Sequence, residues 1–394
     1  MKRFARILGA ALLLLTAACG GGQGAAGGEA GDKPIVVGAI FDLSGPTSDV
    51  GVPYAEGVRD YVDWRNRHGG VGGRQIDLRW QDYRYDAPTS EQFYTQFVAA
   101  GAVALQGWGT KDTEALRGRV TDDQIPFMSA SYAATLGNPE DTPYNFLVAL
   151  SYSDQMRIAL QHIARQSNGK HVEVAVFHHD SPFGTSPLDD GKRYIKDKGL
   201  DIGYQTYVMP QSATDYVGEL ARAKQQGATY LIVQNTSKPA AVLAKNAKDQ
   251  GIGARLLCLN WCGDEIFIQQ AGDAAEGSLG ILPFAPPLQA KGNMPDLEAA
   301  LKAKGRDLDS INLHYTQGWY TMSVMAEGLA EALKSGKEVT GPAVKEALET
   351  MGPVTTPVTT VIKFSRQSHE GMRSARVYQV KAGAWEPLSD ALTP

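Results

Sequence analysis

Cysteine, basic charge and long apolar runs are all scarce in this chain of 394 residues, and each shortage excludes a class of protein or site. There are three cysteines, and no second Cys or His pair stands at zinc-binding spacing, so we predict no metal site. The formal net charge is -5 with both signs interspersed, which gives no basic surface for nucleic acid. After the N-terminus no apolar run approaches the roughly 20 residues of a transmembrane helix.

The N-terminus has the pattern of a secretory signal. Basic residues precede the apolar run Ile7–Leu15, and two alanines then lead to Cys19. The segment resembles the lipobox of bacterial lipoproteins, which implies that Cys19 is acylated and becomes the mature N-terminus. An ordinary signal peptide with an incidental cysteine is the alternative. Residues 20–33, which begin with a Gly- and Ala-rich stretch, are expected to form a flexible tether.

This reading predicts an exported protein, held on the outer face of the cytoplasmic membrane by its lipid alone. Outside the cytoplasm nucleotide cofactors are essentially absent, and we predict no cofactor. If Cys19 carries lipid, Cys258 and Cys262 remain, and an even pair in an oxidising compartment suggests a disulfide. Two free buried thiols are the alternative.

From Ile35 to Leu259, short apolar runs alternate with amphipathic helical patterns. A continuous apolar run such as Ile35–Ile40 is typical of a strand buried on both faces of a parallel sheet. Two such series, separated by a connector near Tyr144, predict an α/β fold with two doubly wound lobes. Three helical stretches follow Pro283. The chain ends in β-like pieces at 361–364 and 375–380, which periodicity assigns to neither lobe.

The common enzyme motifs are missing. The glycines of Gly69–Gly73 follow a helix and precede a strand, which is the wrong order for a dinucleotide-binding loop. No G-x-S-x-G nucleophile elbow occurs, although an extracytoplasmic hydrolase stays the catalytic alternative. His178 and His179 are adjacent on a predicted strand, so their side chains point to opposite faces and cannot easily share a metal. We therefore predict a receptor and no enzyme.

Several segments, taken in order, resemble the leucine/isoleucine/valine-binding proteins of branched-chain amino acid ABC importers. The segments are Val36–Ile40 with Ser44-Gly45-Pro46 and Gly51, Asn66–Ile76 followed by Asp82, Ile125–Ala130, Asp180–Gly184 and Ala275–Gly277. The resemblance implies the type I periplasmic binding fold, with two Rossmann-like lobes joined by a three-strand hinge and ligand in the cleft. It implies a first lobe of 34–148 plus 284–354 and a second of 149–283 plus 355–394. It further implies a monomer that closes on a small molecule and delivers it to ABC permease subunits.

The resemblance also implies where the ligand binds. Thr110 would present its hydroxyl to a carboxylate, and the start of a helix suits an anion whatever the family. Its structural alternative is the N-cap of that helix. Ser131 would supply backbone groups from the next loop. Phe183 matches a position at which the family packs an aromatic ring on the ligand from the second lobe.

Two positions depart from the family pattern. Ala133 stands where the family often has Thr, and Asn260 stands where the family tends to carry Glu. In the family, that Thr and that Glu contact the ligand's ammonium group. An ammonium without a counter-charge is costly in a closed cleft. Asp264 could substitute, although it also fits the cap of the following helix.

Four aromatic residues stand at strand ends or in the following loops, and they favour an apolar or flat ligand with a small polar head: Trp108, Tyr132, Phe183 and Trp261. Asn235 and its neighbours Gln234 and Thr236 could add neutral hydrogen bonds. The sequence therefore leaves the ligand open between a branched-chain or other apolar amino acid and a neutral amide, urea-like compound or aromatic carboxylate. A sensor domain for a membrane kinase is a further alternative.

Overall fold

The computed structural model describes residues 33–336 and 338–394. The predicted signal peptide, Cys19 and all but the last residue of the predicted tether lie outside the described residues, so these stay predictions. Across the described ranges, none of the helices combines the length and the apolar character needed to cross a bilayer.

Two sheets and the helices around them make up the molecule. The helices are α1 (Ser48–Arg67), α2 (Ala87–Ala99), α3 (Thr110–Asp122), α4 (Tyr152–Gln166), α5 (Pro182–Thr185), α6 (Leu188–Lys198), α7 (Val217–Gln225), α8 (Ser237–Asp249), α9 (Glu265–Ala271), α10 (Pro295–Ala303), α11 (Leu313–Lys334) and α12 (Gly341–Thr350). The strands are β1 (Ile35–Phe41), β2 (Ile76–Asp82), β3 (Ala104–Gln106), β4 (Phe127–Ser129), β5 (Asn145–Leu147), β6 (Val172–His179), β7 (Ile202–Met209), β8 (Ala228–Gln234), β9 (Arg255–Cys258), β10 (Leu279–Leu282), β11 (Arg376–Lys381) and β12 (Ala384–Pro387).

The two sheets repeat one topology. The first has the order β2-β1-β3-β4-β5, and the second contains β7-β6-β8-β9-β10 followed by β11 and β12. The first five strands of each sheet are parallel, whereas β11 and β12 are antiparallel. In each sheet the second strand is added on one side of the first strand and the third strand on the other side. Folds of this kind bind ligands at the carboxyl ends of the strands beside this switch in strand order. The prediction of two doubly wound α/β lobes is confirmed.

The chain passes between the sheets three times, and the three passages run side by side. The first follows β5, the second follows β10, and the third returns from α12 to β11. Gly371 donates to the carbonyl of Leu147 at 2.7 Å, and Ala285 donates to that of Val358 at 2.7 Å. These adjacent extended segments form the predicted three-strand hinge.

Helices α10 and α11 pack on α1 and therefore on the first sheet. Gly57 and Gly318 allow the crossing of α1 and α11. A Cβ added at Gly318 would lie 2.0 Å from the carbonyl oxygen of Tyr54, and one at Gly57 would lie 2.0 Å from that of Tyr315. The backbones of the two helices are thus in direct contact, and no side chain separates them.

Three local expectations need correction. The piece predicted at 361–364 forms no strand, because only Ile362 makes a bridge, to Val354. Strand β10 had no predicted counterpart, although it is buried and pairs with both β9 and β11. Helix α3 starts earlier than predicted. Its N-cap is Gly109, so Thr110 is the first residue of the helix and not its cap.

Candidate functional site

A small cavity lies between the two lobes. Its walls come from residues that follow the carboxyl ends of strands in both sheets. The lining residues are Thr47, Val50, Tyr85, Trp108, Gly109, Thr110 and Ala130 on the side of the first sheet and Tyr152, Phe183, Thr236 and Trp261 on the side of the second. All of them are buried except Gly109, which is half-buried, so a molecule held there would be enclosed by both lobes.

Two indole rings form the apolar wall of the cavity. The centroids of Trp108 and Trp261 are 5.0 Å apart, with the planes inclined at 62°. The Trp108 indole N–H donates to Thr47 Oγ1 at 2.9 Å, and the Trp261 indole N–H donates to the Tyr152 hydroxyl at 2.8 Å. Because both N–H groups already have acceptors, the two rings are left to make apolar contact with a ligand.

Hydroxyl groups gather at the start of α3. Thr110 Oγ1 lies 2.7 Å from Ser131 Oγ, and the Tyr152 hydroxyl is close enough to Thr110 for that contact to lower the Tyr152 pKa against the larger effect of burial. The first N–H groups of an α-helix have no acceptor within the helix, and the helix dipole favours negative charge there. This end of the cavity is suited to a carboxylate.

Tyr85 closes the cavity beside this hydroxyl end. A Cβ added at Gly109 would lie 2.4 Å from Tyr85 Cε2, so only glycine leaves room for the ring. Tyr85 has a φ of 58°, and the preceding Arg84 has a φ of 56°. Two consecutive non-glycine residues in the left-handed region cost energy, and such strain is common at ligand-binding loops. The sequence offered one signal for Tyr85, an aromatic in the loop after a strand.

Asp112 lies beneath the hydroxyl end and is fully buried. It accepts the Tyr83 hydroxyl and the N–H groups of Gly109 at 2.8 Å and Trp108 at 3.4 Å. Burial raises the pKa of Asp112 to about 7, and the hydrogen bonds from Tyr83 and the backbone oppose this shift. The carboxyl group thus holds the loop that carries Trp108 and Thr110.

We expect the free energy of unfolding to fall as the pH rises from about 4 to about 7, and Asp112→Asn to reduce this fall. An unfolded aspartate titrates near about 3.9. Native Asp112 keeps its proton to about pH 7, so the stabilisation is complete below the unfolded pKa and is lost as the pH rises from there to the native pKa. The full loss is on the order of 4 kcal/mol. Guanidinium unfolding between about pH 4 and about pH 8 measures the effect.

Other buried groups also titrate between about pH 4 and about pH 8, but they are the same in the wild type and in Asp112→Asn. Burial raises the pKa of Asp264 to about 6 and lowers those of His179 and His314 to about 4. The histidines act in the opposite direction, because their stabilisation is lost as the pH falls. The difference between variant and wild type therefore isolates Asp112, and parallel pH curves for the two proteins would contradict its role.

The structure brings four of the predicted ligand residues together at the cavity: Trp108, Thr110, Phe183 and Trp261. The other five are buried nearby and are not among its lining residues. Ser131 Oγ lies 2.7 Å from Thr110 Oγ1 and fixes its position, and the Tyr132 hydroxyl accepts from Gln317 at 2.6 Å. Ala133 lies next to them along the chain.

Two predicted polar residues point elsewhere. The Asn235 side chain donates to Met209 Sδ and accepts the N–H of Thr236. Thr236 lines the cavity, whereas Asn235 does not. Asn260 has a buried side chain without a hydrogen-bond partner, while its N–H donates to Gln155. Thr47, Val50, Tyr85, Gly109, Ala130 and Tyr152 line the cavity without having been predicted as ligand residues.

The turn that carries Trp261 is held at both ends. Cys258 and Cys262 are paired as a disulfide with their Cα atoms 5.3 Å apart, and both are fully buried. Asp264 caps α9 by accepting the N–H of Phe267 at 2.9 Å, as its position predicted. Trp261 also stacks on His314 of α11, with ring centroids 4.9 Å apart.

The paired histidines form no metal site. His179 Nδ1 lies 2.7 Å from Ser181 Oγ, and His178 Nδ1 lies 3.1 Å from the His179 carbonyl. In the part of the chain that the structure describes, no group of three or more His, Cys, Asp or Glu side chains could hold a metal ion.

Comparison with known proteins agrees with this architecture. The family model described as periplasmic binding protein matches residues 34–384. The chain is 22% identical to the leucine-, isoleucine-, valine-, threonine- and alanine-binding protein of Pseudomonas aeruginosa, over 77% of this chain and 80% of that protein. It is 24% identical to Leu/Ile/Val-binding protein homolog 1 of Brucella suis, over 82% and 84% of the two chains.

Solved structures show the same fold. A branched-chain amino acid ABC transporter protein from Thermus thermophilus with bound valine superposes with a TM-score of 0.87 at 27% identity, covering 92% of this chain and 97% of that one. A fatty acid ABC transporter substrate-binding protein from Thermomonospora curvata gives 0.82 at 18% identity, covering 92% and 93%. The second likeness concerns the fold alone.

Two lobes, three connecting segments and an enclosed cavity between them define a bilobed solute receptor. This chain belongs to the periplasmic binding protein family. The family binds solutes and carries out no reaction on them, so the prediction that the chain is not an enzyme is confirmed.

Proposed function

We propose that this protein is the solute-binding component of an ABC importer and captures a small, largely apolar carboxylic acid between its lobes. One observation carries the proposal: a single cavity takes its walls from both lobes and combines indole rings with a hydroxyl cluster at a helix N-terminus. With the lobes in contact, the cavity has a free volume of about 20 Å³, which is room for about one water molecule. The lobes must therefore separate to admit a solute.

Capture would work through closure of the lobes. A solute held by Thr110 gains contact with Trp261 and Phe183 only when the second lobe meets the first. Closure is then a population shift, limited by the difference in affinity between the open and closed states. Direct contacts across the cleft add to it, because Lys238 N–H donates to Asp49 at 2.8 Å and Leu313 N–H donates to Glu265 at 2.8 Å. The closed form would be the one that permease subunits recognise.

A branched-chain amino acid is the first candidate solute. The named functions of the relatives from Pseudomonas aeruginosa and Brucella suis support it, and so does the valine in the Thermus thermophilus structure. Within this chain, Thr110, which contacts Ser131 of the next loop, would receive the carboxylate. Trp108, Trp261 and Phe183 would receive the aliphatic side chain.

A carboxylic acid or amide without an ammonium group is the second candidate. Of the described residues, none that lines the cavity carries a charged side chain. Ala133 and Asn260 also lack the hydroxyl and the charge that the family resemblance would place near an ammonium. An isosteric solute without the amino group would avoid the cost of burying that charge.

Isothermal titration calorimetry with valine, leucine, isovalerate, benzoate and isobutyramide tests both candidates. Saturable binding of valine or leucine supports the first, and binding of the acids or the amide with no response to either amino acid supports the second. Thr110→Val should weaken any carboxylate by about 10- to 100-fold, because a charged hydrogen bond is lost. Turnover of a solute, or no binding across this panel and a wider set of small acids, would contradict the proposal.

The remaining features are proposed on the sequence and the family. The lobes would be 34–148 plus 284–354 and 149–283 plus 355–394, and the protein would be exported and act as a monomer. Acylation of Cys19 would anchor it, with residues 20–33 as the tether. Labelling of cells with radioactive palmitate should mark the wild type and leave Cys19→Ser unlabelled. Equal labelling of the two would contradict the anchor.

A further inference from the structure

Two buried polar atoms without partners meet at the lobe boundary beside the cavity. Asp49 lies in the first turn of α1, in the first lobe, and its Oδ1 makes no hydrogen bond. Thr236 precedes α8 in the second lobe, and its Oγ1 likewise makes no hydrogen bond of normal geometry. Thr236 lines the cavity, as do Thr47 and Val50 on either side of Asp49. Buried polar atoms of this kind usually have a partner, so both require an explanation.

The two side chains act on each other. The Lys238 N–H donates to Asp49 Oδ2 at 2.8 Å, which brings the start of α8, and Thr236 just before it, against Asp49. Burial raises the pKa of Asp49, while the Lys238 N–H and the Thr236 hydroxyl lower it. A hydroxyl proton directed at Asp49 leaves the Thr236 oxygen with its lone pairs toward the cavity. Thr236 would then present an acceptor, backed by a negative charge, to a ligand.

The charge of Asp49 is only weakly offset by its neighbours, because the Lys238 ammonium lowers the Asp49 pKa but is the smallest of the effects on it. No ion pair to Asp49 occurs within the described ranges, and its Oδ2 accepts only a backbone N–H, that of Lys238 at 2.8 Å. The Lys238 residue itself is exposed. The nearby Asp264 raises the pKa of Asp49 further, since it is also acidic. A cation supplied by the ligand would relieve this local excess of negative charge.

Asp49 and Thr236 supply the groups for an ammonium that two positions aligned with the family's ligand residues lack. Ala133 and Asn260 provide neither a hydroxyl nor a charge for an ammonium group. Asp49 and Thr236 provide both, one from each lobe. The subsite is complete only when the lobes meet, because one member comes from each.

We propose that Asp49 and Thr236 together form the subsite that receives the ammonium group of an α-amino acid, which makes Asp49 a specificity-determining residue. The inference rests on the proposed solute-binding function and narrows its ligand to the amino acids. Thr236 Oγ1 accepts from the ammonium directly, and Asp49 supplies the counter-charge behind it. The carboxylate lies at Thr110.

Valine and isovalerate separate this subsite from the rest of the cavity, because isovalerate is valine without its amino group. Calorimetry is run with both on the wild type and on Asp49→Asn, whose side-chain oxygen can still accept the Lys238 N–H. The variant is expected to bind valine about 10- to 100-fold more weakly and isovalerate within about twofold of wild type. Thr236→Val is expected to act in the same direction, and Thr236→Ser to restore most of the affinity for valine.

Asp264→Asn is the matched control. Asp264 is a buried carboxyl in the second lobe that holds Ser237 and caps α9, so its loss should weaken both solutes by the same factor. An unchanged ratio of valine to isovalerate affinity in Asp49→Asn would overturn the subsite. So would a wild type that binds isovalerate but no amino acid, although the proposed solute-binding function would survive that result.

Discussion

Trp261→Ala should bind valine or isovalerate about 30- to 1,000-fold more weakly than the wild type. The ring forms one wall of the cavity, and its N–H holds the Tyr152 hydroxyl that lies next to Thr110. It also stacks on Tyr132 with the planes inclined by only 7°, and on His314 of the first lobe. Truncation thus removes contact with the solute and contact between the lobes at once. Calorimetry and the change in tryptophan fluorescence on titration measure the loss.

Trp385→Ala is the control for Trp261. Trp385 is equally buried in the second lobe and donates its indole N–H to the Asp264 carbonyl at 2.9 Å, but it does not line the cavity. Its loss should lower stability by about 3–5 kcal/mol and leave affinity within about threefold of wild type. Equal losses of affinity in the two variants would show that the Trp261 effect comes only from a loosened lobe.

Gly318→Ala should lower the free energy of unfolding by about 3 kcal/mol or more. The added methyl carbon would lie 2.0 Å from the Tyr54 carbonyl oxygen, and a backbone atom cannot move aside as a flexible side chain does. Helices α1 and α11 would have to separate. Tyr54, whose ring packs 5.1 Å from that of Trp108, would shift with α1 and loosen the cavity wall as well. Guanidinium unfolding measures the first effect and calorimetry the second.

Gly118→Ala is the opposite case, at an exposed position of α3. No atom lies within 4 Å of a Cβ added there, and the residue sits in the middle of α3. Alanine should therefore stabilise the protein by about 0.5–1 kcal/mol, since glycine is the poorer helix former. If Gly318→Ala were as stable as Gly118→Ala, the direct contact between α1 and α11 would not be needed for packing.

The alternation of apolar runs with helical patterns was sufficient to predict the fold, because a strand covered on both faces leaves a continuous run such as Ile35–Ile40. The missed strands lacked that signal. Leu279–Leu282 is four residues long and contains a glycine, and Ala384–Pro387 is mostly exposed. The predicted β-like piece at 361–364 has the apolar residues of a strand but no neighbouring strand to pair with.

The candidate site was predicted to the extent that it follows strand ends. Trp108, Phe183 and Trp261 each come directly after a strand, so their place could be inferred from topology. Tyr85 could not be assigned a direction, since its left-handed backbone reverses the loop toward the cleft. From the sequence, Asp49 is an ordinary acidic residue in the first turn of a helix. Its proximity to Thr236 depends on how the two lobes face each other, and no local sequence pattern predicts that.

The placement of β11 beside β10 has a consequence for synthesis. In the second sheet the edge of β10 is covered only by β11, which begins at residue 376, long after β10 has left the ribosome. Until then β10 presents an unpaired edge, a template for pairing with another copy. A nascent polypeptide interrupted before residue 376 would thus be prone to self-association, and a cell benefits if a chaperone shields that edge until β11 emerges.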